Sequence, residues 1–195
     1  MRLRPFSVAE LSFISAMIAM DFGSGFVIKP LLGATGVVNL IRLDMILPMM
    51  LLLVTRLVVD RFGTLTLYEG VWGLLASVAL PTSYGLPGLL KMIPAIAQGL
   101  TLDTLMSLFR NYHRLRLAVT GVVGGAVNTL LLMMVRIAFG MPWSKATKVF
   151  LGVNLATGAL VHGIAVVLAI LVWRGIGNSV WVKRIKSWKT ETPNY

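Results

Sequence analysis

The amino-acid sequence predicts an all-α integral membrane protein, built as a bundle of six transmembrane helices. Of its 195 residues, 57% are hydrophobic and only 13% are charged, whereas soluble domains are about half apolar and a quarter charged. Each spanning helix needs roughly 20 apolar residues, so the chain has room for about six of them and for no separate soluble domain. Cysteine is absent, which excludes disulfides, thiolate metal sites and cysteine nucleophiles.

Apolar runs separated by glycine, proline or charged residues divide the chain into six segments. The predicted spans are residues 7–28, 41–61, 63–81, 88–110, 115–140 and 146–173, followed by a basic tail at 174–195. The first run follows basic residues, as in a signal peptide. It continues past Asp21 into "FGSGFVI" without a persuasive cleavage site, so we expect an uncleaved first helix.

Lysine and arginine are distributed unequally between the two ends of these spans. With both termini cytoplasmic, the inner end has Arg2, Arg4, Arg56, Arg61, Arg110, Arg114, Arg116, Arg174, Lys183, Arg184, Lys186 and Lys189, and the outer end has Lys29, Arg42, Lys91, Arg136, Lys145 and Lys148. The positive-inside rule therefore predicts a multi-pass protein of the plasma membrane with both termini in the cytoplasm. The net charge of +11 then requires no nucleic-acid partner.

The basic tail has two interpretations. Trp181, Ile185 and Trp188 recur at i, i+4 and i+7, which is typical of an interfacial helix on a bilayer of anionic lipid. An ordinary solvated basic tail explains the same residues.

Acidic residues lie in or at the edge of several predicted spans, among them Asp21, Asp44, Asp60, Glu69 and Asp103. A charge at the bilayer centre costs about 2.5 to 3.5 kcal/mol on insertion scales, so such residues usually face a partner, a cavity or the protein interior. Arg56 and Asp60, at i and i+4, are expected to neutralise each other. Asp103 shares a helix face with Ser107 and Arg110, and Arg110 is its expected ion-pair partner.

Polar residues in otherwise apolar helices are the candidate substrate-binding residues. They are Glu69, Trp72, Gln98, Asn128, Asn154 and His162. Trp72, with Tyr68 one turn away, can stack a flat nitrogen-containing ligand whose amino group donates to Glu69. Asn154, Gly158 and His162 recur at i, i+4 and i+8 and form a polar stripe.

Each candidate also has a purely structural interpretation. Aromatic residues at helical spacing are usually core or lipid-facing, and an intramembrane histidine is often satisfied by a hydrogen bond to another helix. Gly121 and Gly125 form a GxxxG motif, which is typical of close helix packing, with Asn128 as a polar contact between helices.

The first predicted helix has a stripe of small residues. Ser12, Ser15, Ala16 and Ala19 fall at i, i+3, i+4 and i+7, on a helix whose other residues are mostly large. Small residues allow another helix to approach closely in a membrane. The approaching helix can belong to this chain or to a partner protein.

Several catalytic and energising motifs are missing from the sequence. It contains no Walker A pattern, no HExxH and no GxSxG. We therefore expect no enzymatic activity, no metal site and no cofactor in this chain, and any ATP must be used by partner subunits.

The chain as a whole resembles the substrate-binding S component of an energy-coupling factor (ECF) transporter. The shared features are six short helices with both ends inside, a Gly-rich outer connection after the first helix, and the small-residue stripe on that helix. Residues 67–111, "LYEGVWGLLASVALPTSYGLPGLLKMIPAIAQGLTLDTLMSLFRN", are similar to the YkoE-type family. They combine an acid in the third helix, a Pro/Gly loop, and a "QGL" followed by an acid and a basic turn.

The resemblance implies a function in vitamin uptake. The chain would capture a vitamin or precursor, most simply the hydroxymethylpyrimidine part of thiamine, in an outward-facing pocket beneath a lid at residues 29–39. It would then dock through the small stripe on a transmembrane coupling protein driven by two ATPase subunits. Gln98, Asn128 and Asn154 would line the outer part of the pocket, with Glu69 and His162 deeper, near its floor.

Two other classes of function remain open from the sequence. One is a small proton- or ion-coupled oligomeric carrier in which Glu69 and Asp103 titrate. The other is an accessory subunit without a ligand, which uses its small-residue stripes only for assembly.

Overall fold

The computed structural model describes residues 5–33, 43–79, 86–148, 150–151 and 155–187. The helices are α1 (Val8–Gly33), α2 (Ile46–Val58), α3 (Thr64–Ala79), α4 (Met92–Leu108), α5 (His113–Ala138), α6 (Trp143–Thr147), α7 (Leu155–Ile176) and α8 (Val180–Ser187). Short 3-10 segments at Leu43–Met45 and Gly88–Lys91 precede α2 and α4. Because no strand occurs in these ranges, the predicted all-α class is confirmed for them.

Three of the described helices are long and apolar enough to cross a membrane. They contain the segments Val8–Ile28, Leu115–Ala138 and Leu155–Ile176. Only 22%, 39% and 33% of the most apolar stretch of each is buried inside the protein, so most of their apolar surface faces outward. A soluble protein rarely exposes apolar surface on this scale, and we conclude that the chain is a membrane protein.

Helices α2, α3 and α4 are shorter, with 13, 16 and 17 residues, against the roughly 20 that a spanning helix needs. The second half of α2 is enclosed by the rest of the bundle, since every residue from Leu51 to Val59 is buried. Burial in the protein core therefore explains the apolar residues of α2 as well as contact with a membrane would. It packs against α1, α3 and α7.

Spatially neighbouring helices follow the order α1, α3, α4, α5 and α7. Helix α2 packs against both α7 and α1. Glycines let these neighbours approach closely. A methyl group on Gly99 of α4 would lie 2.5 Å from the carbonyl oxygen of Leu65 in α3. Gly121 and Gly125 of α5 pack directly against Val166 and His162 of α7, which confirms that the GxxxG motif serves close helix packing.

Contacts between the turns gather several segments at one end of the bundle. The Arg61 guanidinium, in the turn between α2 and α3, donates to Glu10 near the start of α1 at 2.9 Å. In the same turn, Gly63 has φ +91, a conformation that favours glycine. Phe13 of α1 stacks at 5.6 Å on Trp181 of α8. We call this the basic end: the start of α1, turns 59–63 and 109–112, and α8.

The structure changes some predicted boundaries. Helix α1 continues to Gly33, so the first part of the predicted lid at 29–39 is helical, and residues 34–39 lie outside the described residues. The predicted span 146–173 includes parts of both α6 and α7, and α8 lies within the predicted tail.

We expect Gly99→Ala to lower the stability of the protein by about 1 to 3 kcal/mol, because the added methyl group would push α4 away from the α3 backbone. Thermal unfolding of the purified protein in detergent measures this effect. Gly163→Ala is the matched control, since an added methyl there would meet no described atom within 4 Å. Equal melting temperatures for the two variants would contradict the close α3–α4 contact.

Candidate functional site

Asp103 of α4 caps the beginning of α3. One carboxylate oxygen accepts hydrogen bonds from the backbone N–H groups of Leu65 and Thr66 at 3.0 and 2.9 Å, and from the Thr66 hydroxyl at 2.9 Å. The first N–H groups of a helix have no partner inside the helix, and its positive dipole end favours an anion. Asp103, which is fully buried, therefore stabilises the α3–α4 pair.

Lys91 acts at the opposite end of α3. Its ammonium group, also fully buried, donates to the carbonyl oxygen of Ala76 at 3.1 Å. Ala76 is in the last turn of α3, where carbonyl groups have no partner inside the helix and the dipole favours a cation. The sequence placed Lys91 among the outer cations but gave no sign that it would be buried.

The other oxygen of Asp103 pairs with Arg56 of α2, whose Nε lies 3.1 Å away. Arg56 also donates to Asp60 at 2.8 Å and to Ser107 at 3.1 Å, so the predicted Arg56–Asp60 pair is confirmed. The predicted Arg110–Asp103 pair is wrong, because Arg110 lies 3.7 Å from Asp60 instead. Asp103 is turned toward α2 and α3, whereas Arg110 lies beyond the end of α4, at the surface.

Helices α3, α4 and α5 pack so that three of the predicted binding residues lie at the same level along the axis of the bundle. Gly70 of α3 faces Ile96 of α4, which sets the neighbouring Glu69 beside the turn of α4 that contains Gln98. Gly124 of α5 packs directly against Leu102 of α4. One turn further along these antiparallel helices, Gln98 and Asn128 are therefore opposite each other.

His162 of α7 lies within about one helical turn of this level, because Gly125, three residues before Asn128, packs against its ring. Its Nδ1 lies 2.7 Å from the carbonyl oxygen of Gly158 in the preceding turn. We call Glu69, Gln98, Asn128 and His162 the polar layer. Each is at most 6% exposed. The expectation that Glu69 and His162 lie deeper in a pocket than Gln98 and Asn128 stays a prediction.

Two amide oxygens of the polar layer have no hydrogen bond. The Oε1 of Gln98 and the Oδ1 of Asn128 are buried, and neither is bonded to any described residue. A buried acceptor without a donor lowers the stability of the folded protein by about 1 to 3 kcal/mol. The polar layer therefore contains hydrogen-bonding capacity that a bound molecule can use.

Glu69 is within electrostatic range of a second carboxylate, that of Asp21. The Tyr68 hydroxyl donates to Asp21 of α1 at 3.0 Å, and Asp21 is close enough to Glu69 for the two carboxylates to interact electrostatically. Asp21 and Tyr68 are 4% and 0% exposed. The sequence marked Asp21 only as an acid within a span, since helical spacing on α1 cannot show which residue of α3 it meets.

The remaining predicted binding residues have different outcomes. Trp72, one turn after Tyr68, is partly buried and packs against the main core. Asn154 lies outside the described residues, as does Trp188 of the predicted interfacial stripe. Over the ranges that the structure describes, no three His, Cys, Asp or Glu side chains come together as metal ligands.

The small residues of α1 face away from the bundle. Ser12, Ser15, Ala16 and Ala19 are all exposed, whereas Ile14 and Ile18 on the opposite face are buried in the core. Gly23 continues this exposed surface, with open space where a side chain would be. We call these five residues the small-residue face. All five of its members are exposed in the described part of the chain.

Comparisons with known proteins found no matching family model, no matching curated protein and no matching solved structure.

Replacing Asp103 with asparagine should lower stability by about 3 to 5 kcal/mol, because it leaves Arg56 as a buried charge with one partner fewer and weakens the cap of α3. Arg110→Gln is the control, since an exposed ion pair contributes at most about 1 kcal/mol. Melting temperatures in detergent report both effects. If Arg110→Gln cost as much as Asp103→Asn, the assignment of Arg56 as the partner of Asp103 would be contradicted.

Proposed function

We propose that this protein is the substrate-capture subunit of an ATP-driven, ECF-type transporter for a vitamin or vitamin precursor. It crosses the plasma membrane six times, with both termini in the cytoplasm, and binds its substrate from the outer side. A transmembrane coupling protein and two ATPase subunits supply the energy.

The proposed orientation is supported by the contacts at the basic end. The start of α1 and the α2–α3 and α4–α5 turns come together there through the pairs Arg61–Glu10 and Arg110–Asp60. Helix α8 joins them through the contact of Trp181 with Phe13. These segments are the ones that six spans with both termini on one side would place together. Five lysine and arginine residues lie in the segments of the basic end, Arg61, Arg110, Lys183, Arg184 and Lys186, and Arg56 and Arg116 contact its Asp60. The positive-inside rule therefore favours the cytoplasm for this end.

The polar layer is the observation that carries the proposal. Its unbonded amide oxygens, on Gln98 and Asn128, and the carboxylate of Glu69 are all hydrogen-bond acceptors. A ligand that satisfies them must supply N–H or O–H donors. An aminopyrimidine such as the hydroxymethylpyrimidine precursor of thiamine has an amino group for this purpose, and its flat ring can stack on Trp72.

The small-residue face supports the proposed docking of a coupling protein. Five small residues along one exposed side of α1 let the backbone of another membrane helix approach closely. The buried face of the same helix has large residues, Ile14 and Ile18, whereas the small residues are on its exposed side.

A proton- or ion-coupled carrier is the alternative. The proximity of Asp21 to Glu69 favours it, because neighbouring carboxylates in a membrane interior can share a proton or hold a cation. Asp103, the second titrating residue expected from the sequence, is instead used in the cap of α3 and the pair with Arg56. Transport without ATPase partners would favour the carrier.

A panel of vitamins and their precursors tests ligand binding through the melting temperature of the purified protein. We expect an amino-bearing heterocycle to raise it. Gln98→Leu should lower the affinity for that ligand by about 2- to 10-fold, the range for a neutral hydrogen bond. Glu69→Gln should lower it by about 10- to 100-fold, the range for a charged hydrogen bond. Thr104→Val, at an exposed position of α4, should leave the affinity unchanged. No shift with any compound, or equal affinities in all variants, would contradict the proposed site.

Docking is tested separately with the double variant Ala16→Leu, Ala19→Leu. The larger side chains should abolish co-purification with a co-expressed coupling protein and preserve the ligand-induced rise in melting temperature. Val122→Leu, at an exposed position of α5, is the control. Loss of both association and ligand binding would show that the small-residue face packs within this chain.

A further inference from the structure

The basic end contains a cluster in which positive charge exceeds negative charge. Asp60 is contacted by three arginines, Arg56, Arg110 and Arg116. Lys186 of α8 is close enough to interact electrostatically with both Asp60 and Arg116. Together with Asp103, which pairs with Arg56, the described members of this cluster are four cations and two carboxylates.

Arg116 supplies a buried donor that the carboxylates do not use. Its terminal nitrogen donates to Asp60, but its Nε is buried and makes no hydrogen bond to any described residue. The residue is only 4% exposed. A buried charged group with an unused donor favours an additional acceptor, and guanidinium groups match the oxygens of phosphate in geometry.

The cluster is accessible from outside the protein. The side chains of Asp60 and Arg110 are 23% and 65% exposed, so an anion can reach the cluster from the surface.

Burial lowers the pKa of the Lys186 ammonium; Asp60 opposes this effect and Arg116 adds to it. The Lys186 ammonium also lies 4.4 Å from the ring centre of Trp173, which holds it beside the end of α7.

Helix α8 places this cluster beside apolar groups that face outward. Val182 is fully buried in the core, whereas Val180 and Trp181 are 79% and 43% exposed. Exposed tryptophan next to lysine and arginine is typical of the boundary between headgroups and acyl chains. A free phosphate would use the cations alone, but a phospholipid would use both the cations and the apolar groups.

We propose that Arg110, Arg116 and Lys186 bind the phosphate of an anionic phospholipid in the leaflet at the basic end. The acyl chains lie beside Trp181 and Val180. Bound in this way, the lipid balances the excess charge of the cluster and attaches α8 to the membrane surface. This site is at the opposite end of α4 from Lys91, and it does not depend on the proposed substrate or on the transport partners.

Native mass spectrometry with added phosphatidylglycerol or phosphatidylcholine tests the proposal on the full-length protein. We expect phosphatidylglycerol to bind more tightly than phosphatidylcholine. Arg110→Gln and Lys186→Gln should each lower the affinity for phosphatidylglycerol about fivefold, because each removes one cation near an anionic lipid. Lys145→Gln, at an exposed position of α6, is the matched control and should bind as the unaltered protein does.

Three results would overturn the proposal. Equal affinity for the two lipids would remove the charge preference, and equal phosphatidylglycerol affinity in all three variants would place the lipid elsewhere. Displacement of phosphatidylglycerol by millimolar inorganic phosphate would assign the cluster to a free anion. Arg116→Lys keeps the charge and removes Nε, so unchanged affinity in this variant would exclude Arg116 as a contact.

Discussion

The α3–α4 pair depends on two charged side chains that cap α3 at both ends. Asp103 accepts hydrogen bonds at its first turn, and Lys91 donates to its last turn. Both residues lie in the segment that follows α3, and both have the sign that the helix dipole favours. This arrangement explains how charges can be fully buried in a membrane protein, because each compensates backbone groups that would otherwise lack a partner. It also fixes the register between α3 and α4.

That register determines what the rest of the bundle can do. With Asp103 at one end of α3 and Lys91 at the other, the middle of α3 faces the middle of α4, and Glu69 comes level with Gln98. The glycines of α5 then bring the ring of His162 within about one helical turn of Asn128. Four of the acidic residues consequently divide into two groups. Asp60 and Asp103 neutralise arginines near the basic end, whereas Asp21 and Glu69 are buried in the interior of the bundle.

Local patterns in the sequence predicted local features of the structure. The Arg56–Asp60 pair and the packing of Gly121 and Gly125 both follow from residues three or four positions apart on one helix. The partner of Asp103 could not be predicted in this way, because Arg56 and the start of α3 meet it only after three helices have packed. The burial of Lys91 and the contact between Asp21 and Tyr68 could not be predicted for the same reason. Most of the binding candidates were identified by their polarity, but their positions relative to one another depend on packing between helices.

The most direct test of the proposed capture function is native mass spectrometry of the detergent-purified protein after growth in rich medium. Tight binding of a scarce nutrient would leave part of the ligand bound through purification. We expect a stoichiometric small molecule with N–H donors, which is released on unfolding and is identifiable by its mass. Protein without any bound small molecule, both as purified and after incubation with vitamins and precursors, would contradict the assignment of the polar layer as a substrate site.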